Sequence, residues 1–596
     1  MLQRVAVASL VAICIASPSA TAQPLFRDAT EASGLAAFAY ENGARGRLEL
    51  LAIMGPGAAL FDYDGDGDLD LLLPQGGTLP SDASAATAPA HGGARLLRND
   101  LQASGSIATA RFVEVTARAG LAPDGYGVAA AVGDYDGDGA PDLFVGNIGG
   151  DRLWRNRGDG TFVEETPEPL RRAGWTSGAS FFDADGDGDL DLYVVDYVEP
   201  VGGVHCFAES SRPDYCGPAA YKPLPDRLLR NDGASGRGAV QWTDLSGTSG
   251  IARAGGPGLG VIASDVDTDG KLDLFVANDG QPNFLWRNQG SGRFVDEGLL
   301  AGVALAREGL ARAGMGVEAG DLDGDGDEEL FVTNLSGEGN TLYISAGDAL
   351  FEDRTAEAGL AAPSRPWTGF GTAFVDADLD GWLDLLVVNG AVRLAHAANA
   401  IAGDASKPEA QLRQPAQLYR NRGGARFELL PPAVAGVALA EPRVARGVAV
   451  GDVDGDGDDD AVAALNEAAP RLWLAEAPAA ASWVGVAPCP GVPDAPWLAR
   501  TVDVAISNIS AASAASVNVA NATGQPAAAA SAPATHLHRR PHRDGSYASS
   551  RDPRVVVGLG GANARTVELR GGGATLRWQD PPPRSYLLWC PEGASR

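Results

Sequence analysis

One nonapeptide recurs seven times in this chain, and a repeat of that order constrains the fold more than any other feature. The copies occupy residues 62–70 (DYDGDGDLD), 134–142 (DYDGDGAPD), 183–191 (DADGDGDLD), 265–273 (DVDTDGKLD), 321–329 (DLDGDGDEE), 376–384 (DADLDGWLD) and 452–460 (DVDGDGDDD). Their starts lie 49 to 82 residues apart, which suits one four-stranded sheet plus loops per repeat.

The flanks repeat as well. A Gly/Ala/Val/Phe run precedes the acidic stretch, as at 128–132, 260–263 and 371–375, and predicts a tightly packed inner strand. A β-rich run ending in Asn follows in most copies, as at 143–147 (LFVGN), 274–278 (LFVAN), 330–334 (LFVTN) and 385–389 (LLVVN). A third element reads RLWRN at 152–156, FLWRN at 284–288 and QLYRN at 417–421. A Gly-rich turn and an aromatic then open a fourth, as at 158–162 (GDGTF). Four short strands per repeat make a blade, so the expected fold is all-β, a seven-bladed β-propeller. Outer strands carry FVEVT at 112–116 and FEDRT at 351–355, and the pattern returns at 26–30 as FRDAT, whereas nothing like it follows 471–474. Residues 26–30 are therefore expected to supply the missing outer strand of the seventh blade and latch the ring.

Within each acidic loop, carboxylates stand at positions 1, 3, 5 and 9 and glycine at 6. The candidate ligands are Asp62, Asp64, Asp66 and Asp70; Asp134, Asp136, Asp138 and Asp142; Asp183, Asp185, Asp187 and Asp191; Asp265, Asp267, Asp269 and Asp273. The last three loops contribute Asp321, Asp323, Asp325 and Glu329; Asp376, Asp378, Asp380 and Asp384; and Asp452, Asp454, Asp456 and Asp460. Position 7 ranges from Asp68 to Lys271 and Trp382, as expected where only a backbone carbonyl is used. Many flexible oxygen donors favour Ca²⁺ over Mg²⁺, and the absence of His and Cys from the loops disfavours zinc and copper, so up to seven Ca²⁺ are expected. Position 12 holds apolar residues, from Leu73 to Ala463, which excludes an EF-hand.

The formal charge is −31, yet the seven nonapeptides hold 34 of the 77 acidic residues and one lysine, leaving the rest of the chain close to neutral. No basic footprint exists for nucleic acid. Residues 1–22 carry Arg4, an apolar run at 5–15 and Ala20-Thr21-Ala22, the pattern of a signal peptide cleaved after Ala22. The expected location is thus secreted, periplasmic or cell surface, with no transmembrane segment, since no later run reaches the length of a membrane helix. Past that segment remain Cys206, Cys216, Cys489 and Cys590, for which the expected disulfides are Cys206–Cys216 across a short loop and Cys489–Cys590 across the C-terminal region. Tetrahedral zinc is the alternative, but no pair has C-x-x-C spacing.

These loops and strands resemble the FG-GAP (VCBS-type) repeats of integrin α-subunit propellers. The chain further resembles the cartilage acidic protein family, whose bacterial members pair such a propeller with a C-terminal ASPIC/UnbV domain. The stretches that carry this are 212–218 (RPDYCGP) with 226–231 (DRLLRN), 277–283 (ANDGQPN), and 546–560 (SYASSRDPRVVVGLG). The family's expected Trp-Pro-x-Gly appears here as Trp578-Gln579-Asp580. The resemblance implies an integrin-α-like propeller over residues 23–477 and a small β-rich domain over 481–591, interrupted by a low-complexity Ala/Ser/Asn insertion at 505–535. It further implies an exported calcium-binding protein whose partner is an unidentified extracellular protein or glycan.

No nucleophile–base set stands outside the loops, so the chain reads as a non-enzyme. A calcium-dependent lectin, and a propeller hydrolase or lyase acting on extracellular polysaccharide, are the rival readings. Arg157-Gly158-Asp159 coincides with a hairpin turn. His536, His538 and His542 fall in a polar stretch that reads as a solvated loop. The recurring Trp154, Trp286, Trp473, Tyr343 and Tyr419 read as packing between blades. The insertions at 76–93, 199–224 and 390–415 break the blade rhythm and are the expected places for a ligand site.

Overall fold

The computed structural model describes residues 23–590 apart from 45, 80–91, 105–106, 123, 209–210, 235–239, 253–254, 395–407, 490, 499, 507–535, 561–563 and 572–573. The expected signal peptide and most of the low-complexity insertion therefore lie outside the described residues, as do parts of all three insertions.

Seven antiparallel four-stranded units follow one another along the chain. In the fourth, for example, Gly258–Ser264 pairs with Asp273–Asn278, which pairs with Phe284–Asn288 and then Phe294–Asp296. The second and third units are joined edge to edge, because Gly174–Phe182 also pairs with Asp142–Gly149. The inner strands are wholly buried, as in Tyr126–Gly133 (YGVAAAVG). Their small residues follow from crowding at the axis: a Cβ on Gly260 would lie 2.3 Å from the Met315 carbonyl oxygen of the next blade, and one on Gly316 2.1 Å from that of Phe370. Register shifts in five of these strands, such as that between Gly127 and Ala129, bend them where they turn from the axis.

The ring closes as the sequence predicts. Phe26–Asp28 pairs antiparallel with Arg471–Ala475, in the register Phe26 to Ala475, and completes the seventh sheet. Phe26 is 1% exposed. The protein is a seven-bladed β-propeller with a small β-rich unit after it. The recurring aromatics are buried between blades: Trp154 packs in one cluster with Phe61, Tyr63 and Val132.

The C-terminal unit consists of a three-stranded sheet (Val555–Gly560, Ser482–Pro488, Ser585–Trp589) and a four-stranded one (His536–Arg539, Thr501–Ile506, Ala564–Gly571, Ala574–Gln579). Trp497 stacks on Trp589 at 5.9 Å between their ring centres. Both expected disulfides are present, Cys206–Cys216 and Cys489–Cys590.

One segment of this unit enters the propeller. Ser546 exchanges two backbone hydrogen bonds with Val317, the Ala548 carbonyl accepts from Ala130, and the Ser550 N–H donates to the Ala58 carbonyl. Tyr547, 0% exposed, packs edge-on against Phe370, and its hydroxyl donates to the Met54 carbonyl at 3.2 Å. Met54 follows the buried helical turn Leu50–Ile53, which sits at the opposite mouth of the ring beside Arg446. The axis is thus filled by residues from both ends of the chain.

The histidine stretch corrects an expectation. Asp503 and His538 face each other in paired strands and their side chains bond, while His542, 6% exposed, contacts Glu328 at 2.8 Å. Residues 537–542 are interface rather than solvated loop, because His538, Arg540 and His542 meet the carboxylates of Asp503, Asp265 and Glu328 while Arg539 donates to the Gly381 carbonyl of the sixth acidic loop.

Candidate metal centres

Each acidic loop joins an inner strand to the second strand of its blade, so all seven project from one face of the ring. Local chemistry shapes them alike. The position 1 carboxylate accepts backbone N–H groups from within its own loop: Asp62 takes those of Gly65 at 2.8 Å and Gly67 at 2.9 Å, and Asp183 those of Gly186 at 2.7 Å and Gly188 at 3.1 Å. Gly65 and Gly67 have φ of 75° and 95°, which glycine adopts without strain, whereas the equivalents of Gly65 in the fourth and sixth loops are Thr268 and Leu379 at φ 57° and 53°.

Position 9 has a second task. Asp70 accepts from the Tyr63 N–H at 3.0 Å and from Asn99, on the third strand, at 2.8 Å. Asp142 does the same with Tyr135 and Asn156, and Asp191 with Ala184 and Asn231. The ninth residue therefore ties the loop to its own blade as well as closing the acidic cluster.

The structure brings three carboxylates within 4.8 Å of one another in at least five loops: Asp62, Asp64 and Asp66; Asp134, Asp136 and Asp142; Asp183, Asp185 and Asp191; Asp265, Asp267 and Asp269; Asp321, Asp323 and Asp325. The convergent sets thus draw on positions 1, 3 and 5 in some loops and on 1, 3 and 9 in others. Asp70, Asp138, Asp187, Asp273 and Glu329 stand in the same loops outside these trios. In the sixth loop, burial first and the fields of Asp380 and Asp378 second push the Asp376 carboxyl far above the carboxylate range. Asp454 in the seventh, pushed up to about 7 by burial and then by Asp456 and Asp452, shows the same crowding.

Whether a cation fits can be judged from the oxygens left over. Position 3 presents a buried oxygen without a hydrogen-bond partner in four loops, from Asp64, Asp323, Asp378 and Asp454. Position 1 does so through Asp376 and Asp452, and position 9 through Glu329 and Asp384. Buried, unpartnered carboxylate oxygens are costly unless a cation meets them. Burial pushes Asp70 and Glu329 up to about 9 and Asp191 up to about 8, the behaviour of acids packed together without a counter-charge. Hard oxygen donors in a glycine-shaped loop match a Ca²⁺ shell.

Two partners of these loops escaped the reading of the sequence. The Asn that ends the third strand stitches its blade to the loop of the blade before. Asn156 donates to the Tyr63 carbonyl at 2.8 Å, Asn231 to that of Tyr135 at 2.6 Å, Asn288 to that of Ala184 at 3.1 Å and Asn421 to that of Leu322 at 2.9 Å. The preceding Arg faces position 3, as Arg155 does Asp136 at 3.7 Å and Arg230 does Asp185 at 3.9 Å. The Arg-Asn pair, repeated at 98–99, 155–156, 230–231, 287–288 and 420–421, was the visible signal.

Comparison with known proteins agrees with this geometry. The FG-GAP-like repeat family matches residues 134–194, 265–332 and 321–387. Cartilage acidic protein 1 of Homo sapiens is 26% identical over 344 residues, 54% of this chain and 45% of that protein. The Xenopus tropicalis protein of the same name is 24% identical over 299 residues, 47% of this chain and 40% of its own. The chain spans about half the length of the curated relatives it matches. Among solved structures, an Agrocybe aegerita protein described in terms of recognition of non-reducing terminal N-acetylglucosamine overlaps at 17% identity and a TM-score of 0.35, over 62% of this chain and 82% of that one. YCF48 bound to D1 peptide overlaps at 10% identity and a TM-score of 0.37, over 71% and 92%. Likenesses that distant carry no argument about this chain. Fold and loops together define an FG-GAP-repeat β-propeller. Within that class, the curated relatives that the chain resembles are cartilage acidic proteins.

Proposed function

We propose that this protein is an exported, non-catalytic calcium-binding propeller that presents a rigid surface to an extracellular protein or glycan. The observation that carries the reading is the set of buried carboxylate oxygens without partners, repeated at equivalent positions in successive blades. The residues that would hold Ca²⁺ are the position 1, 3, 5 and 9 carboxylates, with the position 7 carbonyl as a further donor. The ion would neutralise each cluster and fix the turn between inner and second strands, so its part is structural.

Three further points support it. No helix among the described residues is long and apolar enough to cross a membrane. Two disulfides suit an oxidising compartment. A propeller hydrolase or lyase needs an open axial funnel with free acids, whereas here Tyr547 and Arg446 fill the axis, and the acids beside it are paired: Glu318 with Arg551 at 3.1 Å and Glu328 with His542 at 2.8 Å. The recurring aromatics, buried at 0 to 3% exposure, offer no stacking platform for a lectin.

The test is calorimetric titration of chelator-stripped protein with CaCl₂. Several equivalents bound, with MgCl₂ far weaker, is the expected outcome; the absence of calcium binding would refute the reading.

A further inference from the structure

The seven loops are not equivalent in their surroundings. Around the first and third, the position 4 and 6 glycines Gly65, Gly67, Gly186 and Gly188 have nothing near the place a Cβ would occupy. The sixth and seventh lie under the C-terminal unit. A Cβ on Gly381 would come within 2.8 Å of the Leu537 side chain, and one on Gly457 within 2.0 Å of the Trp483 ring.

The contact reaches the candidate ligands themselves. The Gly558 N–H donates at 2.9 Å to the same Asp376 oxygen that accepts from Gly381 at 3.0 Å. The Gly560 N–H donates to the Leu379 carbonyl at 2.6 Å, and Arg539 donates to the Gly381 carbonyl at 2.7 Å. In the seventh loop the Tyr586 hydroxyl donates to Asp452 at 3.2 Å. The sequence carries a mark of this docking. Where most loops have glycine at position 4, the sixth has Leu379, held at φ 53° and buried with Ala481 and Trp483. Its irregular motif is shaped by what covers it.

We propose that the sixth and seventh loops are cation sites that fasten the C-terminal unit to the propeller, while the first and third are independent surface sites. The proposal rests on the cation reading above. In the open first and third loops water reaches the position 1 and 5 carboxylates Asp62, Asp66, Asp183 and Asp187, although Asp70 and Asp191 are buried. Beneath the C-terminal unit it cannot reach the carboxylates: Asp376 is 3% exposed, Asp452 5% and Asp454 7%, and each has an oxygen with no partner. Covering such a cluster is favourable only when a cation neutralises it, so docking and cation loading favour one another. Because linkage is reciprocal, the docked unit must in turn raise the affinity of those two sites.

The test uses the full chain and two double variants, D378N/D380N in the sixth loop and D185N/D187N in the third, read by calcium titration and by hydrogen exchange of residues 555–560. Each variant is expected to bind one ion fewer, and only the sixth-loop variant to exchange 555–560 at least about tenfold faster. Loss of the ion with unchanged exchange, or equal acceleration in both variants, overturns the proposal. If the unaltered chain binds no calcium, the cation reading itself falls and this inference falls with it. Should the sixth-loop variant fail to fold, W483A leaves every ligand in place. About tenfold weaker calcium binding at one or two sites with none lost supports the proposal, and an unchanged titration overturns it.

Discussion

At the scale of single residues, the blades are held in sequence by side chains that look unremarkable in the primary structure. Asn156, 0% exposed, donates to the Tyr63 and Pro141 carbonyls and accepts from the Gly158 N–H. Asn156→Ala leaves all three backbone groups unpaired and is expected to destabilise the fold by about 2–3 kcal/mol, measured by denaturant unfolding. Asp226 gives a pH-dependent prediction away from the acidic loops. It accepts from the Tyr193 hydroxyl at 2.7 Å and the Asp196 N–H at 3.0 Å, and burial pushes its carboxyl up to about 7. A carboxyl raised in the folded state favours folding most below its unfolded value of about 4, and that contribution fades as pH rises toward 7. In calcium-saturated buffer, Asp226→Asn, which mimics the neutral acid, should remove on the order of 2 kcal/mol of the stability difference between pH 5 and pH 7.5. Equal pH slopes in parent and variant would contradict this. The acidic residues of the loops were legible because a nine-residue pattern recurs. The Asn stitch was not, because its partner is a backbone carbonyl more than 90 residues away in the chain.

At the scale of elements, strands and their order could be read from periodicity and turns, including the return of Phe26–Asp28 to the seventh sheet. That strand is only three residues long but removes an exposed edge, and Phe26 is 1% exposed. Deleting residues 23–30 should lower the melting temperature markedly, and Phe26→Ala alone should cost about 3–4 kcal/mol in denaturant unfolding. An unchanged melt after the deletion would mean the ring closes without its latch. The histidine stretch was misread for a physical reason. A polar, basic segment is solvated unless carboxylates face it, and those carboxylates, Asp503 among them, lie on elements distant in sequence. Segment 546–550 was visible as a family signature, yet no periodicity marks a strand-like run whose partners are inner strands of several blades.

At the scale of the whole molecule, the two units share an interface built on the acidic loops, and the axis is filled by Tyr547. A stiff ring covered on one face over its sixth and seventh loops keeps its first and third loops open. The negative charge that dominates the composition is concentrated on the covered face, where it forms clusters rather than a diffuse acidic surface. The central claim is that these clusters are structural cation sites. Binding to the folded state alone adds about 2.7 kcal/mol per site at a hundredfold excess over Kd, so several sites acting together must move the melt strongly. The direct measurement is thermal unfolding of the full chain in millimolar calcium and in excess chelator. A midpoint at least about 10 °C lower in chelator is the predicted result; superimposable curves would contradict the account.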